Sequence, residues 1–221
     1  MKLRSLVVEG PSSLGGRARA RRWELFRDAL GDVSDLSVLD LGGTPSTWQR
    51  APVRPRSVTV LNLFPGELNL RDDERPDLEG IEVVHGDACQ PPSEIANRRF
   101  DLVFSNSLIE HVGGPYRRRQ LAEVIRSAAD RYWVQTPYRY FPVEPHWIFP
   151  GFQFLPLAAR ARLSQTWPLV HSRATSRADG IDASLDVELI SLTEMRHLFP
   201  GGAVKIERFG GIPKSLIAVR T

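Results

Sequence analysis

Cysteine is nearly absent from this sequence: Cys89 is the one thiol in 221 residues. Without a second cysteine there is no intrachain disulfide, no thiolate zinc cluster and no mark of an oxidising compartment. Also lacking is any apolar run near the ~18 residues that a bilayer span needs. The apolar part of the opening MKLRSLVVEGPSSLGG is too short for a secretory signal. These absences point to a cytoplasmic protein with no membrane span. A large excess of one charge is missing as well, with 29 Lys and Arg against 26 Asp and Glu. Collagen-like, low-complexity and coiled-coil compositions are excluded, and no internal repeat is visible.

What is present suits a packed core: 42% hydrophobic residues, 25% charged, and 10 Phe, 5 Trp and 4 Tyr. The length fits one domain, or one domain carrying a lobe-sized insertion. Arginines cluster at Arg17, Arg19, Arg21 and Arg22 and again at Arg117, Arg118 and Arg119, which could neutralise phosphates. Solvated helix faces explain them better. The tryptophans are scattered among apolar neighbours, as core or pocket residues are. Nucleic acid is therefore disfavoured as a partner.

From Arg17 to Leu30, Trp23, Phe26 and Leu30 recur at helical spacing among charges. Leu36 to Leu41 is a short apolar run closed by Gly42 and Gly43, and reads as a strand buried on both faces. Similar runs follow at Ser57 to Asn62, Ile81 to His85, Phe100 to Ser105 and Tyr132 to Thr136. Leu121, Val124, Ile125 and Ala128 place a helix between the fourth and fifth strands. The alternation implies an α/β doubly wound, mostly parallel sheet. Two closing strands, Ala203 to Phe209 and Ser215 to Val219, have only GGIPK between them, so they form a hairpin and the last strand is antiparallel. Residues 137–186 are rich first in Pro and aromatics, then in Arg and Ser, with no strand period. They read as a helical lid inserted after the fifth strand. The expected organisation is one domain: a cofactor-binding half over 17–136, a lid or acceptor-binding insertion over 137–186, and a closing helix and hairpin over 187–221.

Strand one ends in Asp40-Leu41-Gly42-Gly43-Thr44, an acidic residue and then glycines that let the backbone turn beside a ligand. Strand two ends at Asn62, whose amide can bond ribose hydroxyls. Gly86-Asp87-Ala88 follows strand three, with an acceptor suited to an adenine amino group. Cys89 beside it reads as a small packed hydrophobe. Strand four runs into Ser105-Asn106-Ser107-Leu108-Ile109-Glu110-His111 at the expected switch point.

From Arg17 to the last strand, these residues resemble the class I S-adenosylmethionine-dependent methyltransferases, whose seven-stranded sheet has a reversed final strand. The resemblance implies that Asp40, Gly42 and Gly43 surround the methionine part of S-adenosylmethionine, Asn62 its ribose, Asp87 and Ala88 its adenine, and Asn106 the sulfonium region. S-adenosylhomocysteine would be the product. This chain departs from the family at Thr44 and Ser46, where glycines are usual, and at Asn62, where an acid is usual. An amide satisfies a diol without the charge-assisted part of the bond, which would make cofactor affinity modest.

Methyl transfer to a hydroxyl needs a base, and His111 and His146 are the candidates because an unperturbed imidazole titrates near neutral pH. His146 lies in Phe141-Pro142-Val143-Glu144-Pro145-His146-Trp147, with prolines expected to hold the stretch extended and Glu144 placed to orient it. His111 and His146 should face one pocket, since they follow neighbouring strands. His85, His171 and His197 read as surface or packing residues. No metal-ligand spacing is present, so no metal site is expected; magnesium shared by Glu144, an aspartate and a substrate diol is left open. The function expected is O-methylation of a small molecule, glycan or lipid precursor. The alternatives are a nucleic-acid methyltransferase, against which no Asn-Pro-Pro-Tyr-type motif follows strand four, and a non-catalytic cofactor-binding or interaction protein of the same fold.

Overall fold

The computed structural model describes residues 13–64, 80–170 and 172–221. Most of the opening stretch weighed above as a signal lies outside the described residues, as does His171. Helix α1 (Leu14–Leu30) starts at Ser13, whose hydroxyl accepts the N–H of Gly16, and stops at Gly31 with φ 70°. It buries Phe26 and Leu30, as the helical period requires. There follow β1 (Ser37–Leu41), α2 (Pro45–Gln49), β2 (Ser57–Asn62), β3 (Ile81–His85), α3 (Ser93–Ala96), β4 (Leu102–Asn106), α4 (Pro115–Ala128) and β5 (Arg131–Pro137). The chain then forms a small pair, β6 (Val143–Glu144) and β7 (Phe149–Pro150), and the helices α5 (Leu157–Thr166), α6 (Arg177–Leu185) and α7 (Leu192–Leu198). It closes with β8 (Ala203–Phe209) and β9 (Ile212–Arg220).

Seven strands make one sheet in the order β3-β2-β1-β4-β5-β9-β8. β1 pairs parallel with β2 and β4, and β5 pairs antiparallel with β9. Strand order reverses between β1 and β4, and this is where open α/β sheets leave a crevice at the carboxyl ends of their strands. Val38, Leu39 and Asp40 lie opposite Leu102, Val103 and Phe104, so Asp40 and Asn106 end neighbouring strands. Two apolar clusters cover the faces. One joins α1 to Phe104 and Trp133, and the other joins α4 and α7 to Leu39, Val103 and Val134.

Three expectations need correction. β3 is not buried on both faces, because it ends the sheet: Glu82 and His85 are exposed and Val83 retains 37% of its surface. The closing hairpin turns on Gly210 and Gly211 alone, at φ 56° and 84°, the paired positive values of a two-residue turn matched to strand twist. Ile212, Pro213 and Lys214 therefore belong to β9 rather than to the link. Residues 137–186 carry α5 and α6 but also the β6–β7 pair, too short to show a strand period.

Arg17, Arg19, Arg21 and Arg119 are exposed, as expected of solvated helix faces, whereas Arg22 and Arg118 turn inward. Arg22 meets Glu207 at 3.1 Å, and Arg118, only 4% exposed, meets Glu188 at 2.6 Å and Glu194 at 2.7 Å. Among the described residues no helix is long and apolar enough to cross a membrane.

Candidate active site

At the end of β1 the backbone shape is set by what cannot fit. A Cβ on Gly43 would fall 1.8 Å from Asp40 Oδ2, and one on Gly42 would fall 2.7 Å from Leu108 Cδ1. Gly42 also holds φ 78°, a value that L side chains rarely adopt. Asp40 is fully buried. Trp48 Nε1 donates to its Oδ2 at 2.7 Å, while its Oδ1 has no hydrogen-bond partner among the described residues. Burial pushes the Asp40 carboxyl up to about 7, against the pull of the Trp48 hydrogen bond. Thr44 sits at φ −132°, ordinary extended backbone, and Pro45 starts α2, so no glycine is required there.

Asn62 and Asp87 stand where the sequence placed them, with their polar atoms engaged inside the protein. Asn62 Nδ2 donates to Gly43 O at 2.9 Å and its Oδ1 accepts the Phe64 N–H at 2.9 Å, so the amide ties β2 to the glycine turn. Arg117 Nη2 donates to both Asp87 oxygens, at 2.8 and 2.7 Å, and Cys89 N donates to Oδ1 at 2.9 Å. Burial works to raise the Asp87 pKa, but the Arg117 guanidinium and the Cys89 N–H outweigh it and hold it below the usual carboxylate range. Ala88 and Cys89 are buried, and burial pushes the thiol up to about 11, the state of a packed and unreactive cysteine. Asn106 ends β4 with Oδ1 buried and without a partner among the described residues. Asp40, Gly42, Gly43, Asn62 and Asn106 thus gather at the adjoining ends of β2, β1 and β4, with Asp87 and Ala88 just beyond β3.

The second part of the site is assembled from distant sequence. His111 Nε2 lies 3.1 Å from His146 Nε2, with the rings edge to face at 86°. His146 Nδ1 lies 2.6 Å from Oε1 of Glu144, which is 1% exposed. Glu144 Oε2 accepts the backbone N–H of His146 at 2.8 Å and of Trp147 at 2.9 Å. This turn, with Ile148 at φ 52°, folds the segment into the β6–β7 hairpin. The stretch expected to be extended between prolines is therefore bent, because the buried carboxylate gathers two consecutive N–H groups. Trp147 anchors the turn by donating to Ser164 Oγ of α5 at 2.8 Å.

The loop after β4 joins the two parts. Leu108 packs against Gly42, and one turn later His111 N donates to Leu108 O at 2.8 Å. Between them Glu110 is 1% exposed; Thr136 donates to its Oε2 at 2.9 Å, and Oε1 has no hydrogen-bond partner among the described residues. Although no metal-ligand spacing is visible in the sequence, Glu110, His111 and His146 bring one donor atom each within 4.8 Å of one another. Behind Glu144 is a cavity of about 340 Å³ lined by Arg139, Trp147, Phe152, Arg160 and Leu189 among others.

Sequence reasoning missed Trp48, Arg117 and the part played by Glu110. Arg117 is one of three consecutive arginines, and only helical phase decides which meets Asp87. Trp48 carried one usable signal, lying eight residues after Asp40 on the next helix. The other two described histidines behave as surface residues: His85 ends β3 with Nε2 2.8 Å from Leu63 O, and His197 is exposed on α7.

Residues 39–130 match the family described as Methyltransferase domain. A 65-residue stretch is 34% identical to "Uncharacterized protein Rv1509" of Mycobacterium tuberculosis (strain ATCC 25618 / H37Rv), covering 29% of this chain and 22% of that protein. The match thus takes in about a fifth of the relative's own length. Among solved structures, an S-adenosylmethionine dependent methyltransferase from Mesorhizobium loti superposes with TM-score 0.60 at 17% identity, over 94% of this chain and 100% of that chain. A magnesium protoporphyrin IX methyltransferase from Synechocystis PCC 6803, with bound S-adenosylhomocysteine, gives TM-score 0.57 at 13% identity, over 100% and 93% of the two chains. At those identities the likeness is one of fold. The family match takes in residues 39–130, less than half of the chain, and the strand order with its reversed β9 is a fold shared with these methyltransferase structures.

Proposed function

We propose that the chain binds S-adenosylmethionine at the ends of β1, β2 and β4 and directs its methyl group to a hydroxyl of a small molecule, glycan or lipid precursor. The residues present fit the cofactor. Asp40 Oδ1 and Asn106 Oδ1 are buried acceptors with no donor among the described residues, on neighbouring strands beside a turn too tight for a Cβ. Buried acceptors require a donor, and the cofactor's α-ammonium is one. Asn62 would meet the ribose, and Asp87 with Ala88 the adenine, within the bonds these side chains already make. When bound, the cofactor supplies an electrophilic methyl group.

The observation that carries the acceptor half is the chain Glu144–His146–His111. A carboxylate has no proton to give, so in the neutral imidazole Nδ1 holds the hydrogen and Nε2 presents a lone pair. An acceptor hydroxyl taking the place of His111 on that nitrogen would hand it the proton, while the hydroxyl oxygen would take the methyl carbon from the cofactor, whose sulfur keeps the electron pair of the broken sulfur–carbon bond as S-adenosylhomocysteine. Glu144 stabilises the imidazolium that results. The cavity of about 340 Å³ behind Glu144, which neither histidine lines, is of small-molecule size. Ion pairs engage Arg22, Arg117 and Arg118, which removes three of the seven clustered arginines from contact with a nucleic-acid backbone.

Calorimetric titration with S-adenosylhomocysteine tests the cofactor half. Binding that raises the melting temperature, weakened in Asp87→Ala, is the expected outcome. No binding at millimolar ligand, together with binding of a nicotinamide dinucleotide, would overturn it.

A further inference from the structure

We propose that Glu110, His111 and His146 form a binding site for a divalent transition-metal cation of zinc-like chemistry. The site stands on geometry alone. What a cation would do there for a bound hydroxyl rests on the methyltransferase reading.

Two imidazole nitrogens on one tetrahedral zinc, each at ~2.0–2.1 Å, are about 3.3 Å apart. His111 Nε2 and His146 Nε2 are 3.1 Å apart, so both reach one cation with a shift of a few tenths of an ångström. Each ring has a carboxylate behind it. Glu144 Oε1 lies 2.6 Å from His146 Nδ1, and Asp186 Oδ2 lies 3.8 Å from His111 Nδ1. At His146 the Glu144 carboxylate fixes the tautomer that leaves Nε2 as a ligand, the usual outer partner of a metal-bound histidine, whereas Asp186, beyond hydrogen-bond distance, adds only charge beside His111. Glu144 is itself immobilised by two backbone N–H groups.

Glu110 supplies the third donor. Its side chain is almost fully buried, one oxygen is satisfied by Thr136, and the other lacks a partner among the described residues. An unpaired buried carboxylate oxygen is costly unless a proton or cation meets it. The competing arrangement is a proton shared between the two imidazoles, which leaves that oxygen unsatisfied. Two nitrogens and one carboxylate form the three-ligand set of catalytic zinc sites, with a fourth position open to a water or hydroxyl oxygen. Imidazole donors favour zinc, cobalt and iron over magnesium, whose preferred ligands are oxygens. With a cation bound, His146 Nε2 is a ligand and not the base, and a hydroxyl in the fourth position would instead lose its proton to solvent more readily, because the cation stabilises the alkoxide.

The test is titration of the tag-free, chelator-stripped full chain with cobalt(II), read as the visible d–d absorption of a low-symmetry nitrogen–oxygen site. A band saturating at one equivalent, bleached by zinc and lost in His111→Ala and His146→Ala, is expected. Glu144→Gln should weaken the site by ~10- to 100-fold, as outer-partner losses do, and Glu110→Gln should weaken it too. The two imidazoles are 31% and 25% exposed, so their removal empties no core. Should an alanine variant lose its cooperative melt, His146→Gln takes its place. No cobalt band, or one unchanged by loss of either histidine, overturns the proposal. S-adenosylhomocysteine affinity, measured on the same samples, distinguishes failure of the metal site from failure of the methyltransferase reading.

Discussion

The β1 edge and the β6–β7 hairpin hold their halves of the site by opposite means. At β1 the shape belongs to the backbone: Gly43 leaves no room for a Cβ beside Asp40, and Gly42 none beside Leu108. At the hairpin the shape belongs to one side chain, Glu144, which gathers two N–H groups and an imidazole. An added atom at this turn must displace the buried Asp40 or Leu108 side chain, so its substitutions have large effects. A hydrogen-bonded cluster can lose one member at a time, so its effects are graded and fall on chemistry before binding.

The sharpest division between the halves is expected from His146→Ala. Turnover should fall by ~10²- to 10⁴-fold, while S-adenosylhomocysteine affinity changes little, as single-turnover kinetics and calorimetry would show. Equal losses in both would mean that the halves are not separable. Gly43→Ala should do the reverse and weaken S-adenosylhomocysteine by roughly 100-fold or more, about 2.7 kcal/mol, because Asp40 must leave its place. Near-normal binding would show that the turn relaxes and that the backbone argument fails.

A smaller effect separates the halves by pH. The folded protein keeps the Asp40 proton up to about pH 7, whereas the ordinary carboxyl value is 3.8. Between those limits the native state binds more protons than the unfolded state, so this group's contribution to stability falls as pH rises from about 4 to 7. Asp40→Asn should therefore raise the melting temperature of the ligand-free protein more at pH 8 than at pH 5. A pH-independent difference would remove Asp40 as the source. Smallest of all should be Arg56→Ala, which breaks an exposed 3.5 Å pair with Asp101 and touches neither half. Urea unfolding should change by less than ~1 kcal/mol.

The β1 edge was legible because it is local. Asp40, Gly42 and Gly43 are nearly consecutive, and apolar runs bounded by glycine announce β1, β2, β4 and β5, each buried as expected. The exposed side of β3 was not legible, because a strand's composition does not say that it ends the sheet. Nor was the β6–β7 pair, where four residues carry no period and the bend depends on Glu144 turning back on its own backbone.

Sequence alone determined the alternation of strands and helices, the reversed last strand and the glycine turn, since each follows from periodicity or from steric rules acting over a few residues. It also named His111 and His146. Only tertiary structure decided that their rings meet at 3.1 Å, that Arg117 rather than Arg118 or Arg119 holds Asp87, and that Glu110 is buried with one oxygen unpaired. Those contacts join residues 30 and more apart in sequence. Their geometry depends on how whole elements pack, and no local rule of chain conformation contains that information.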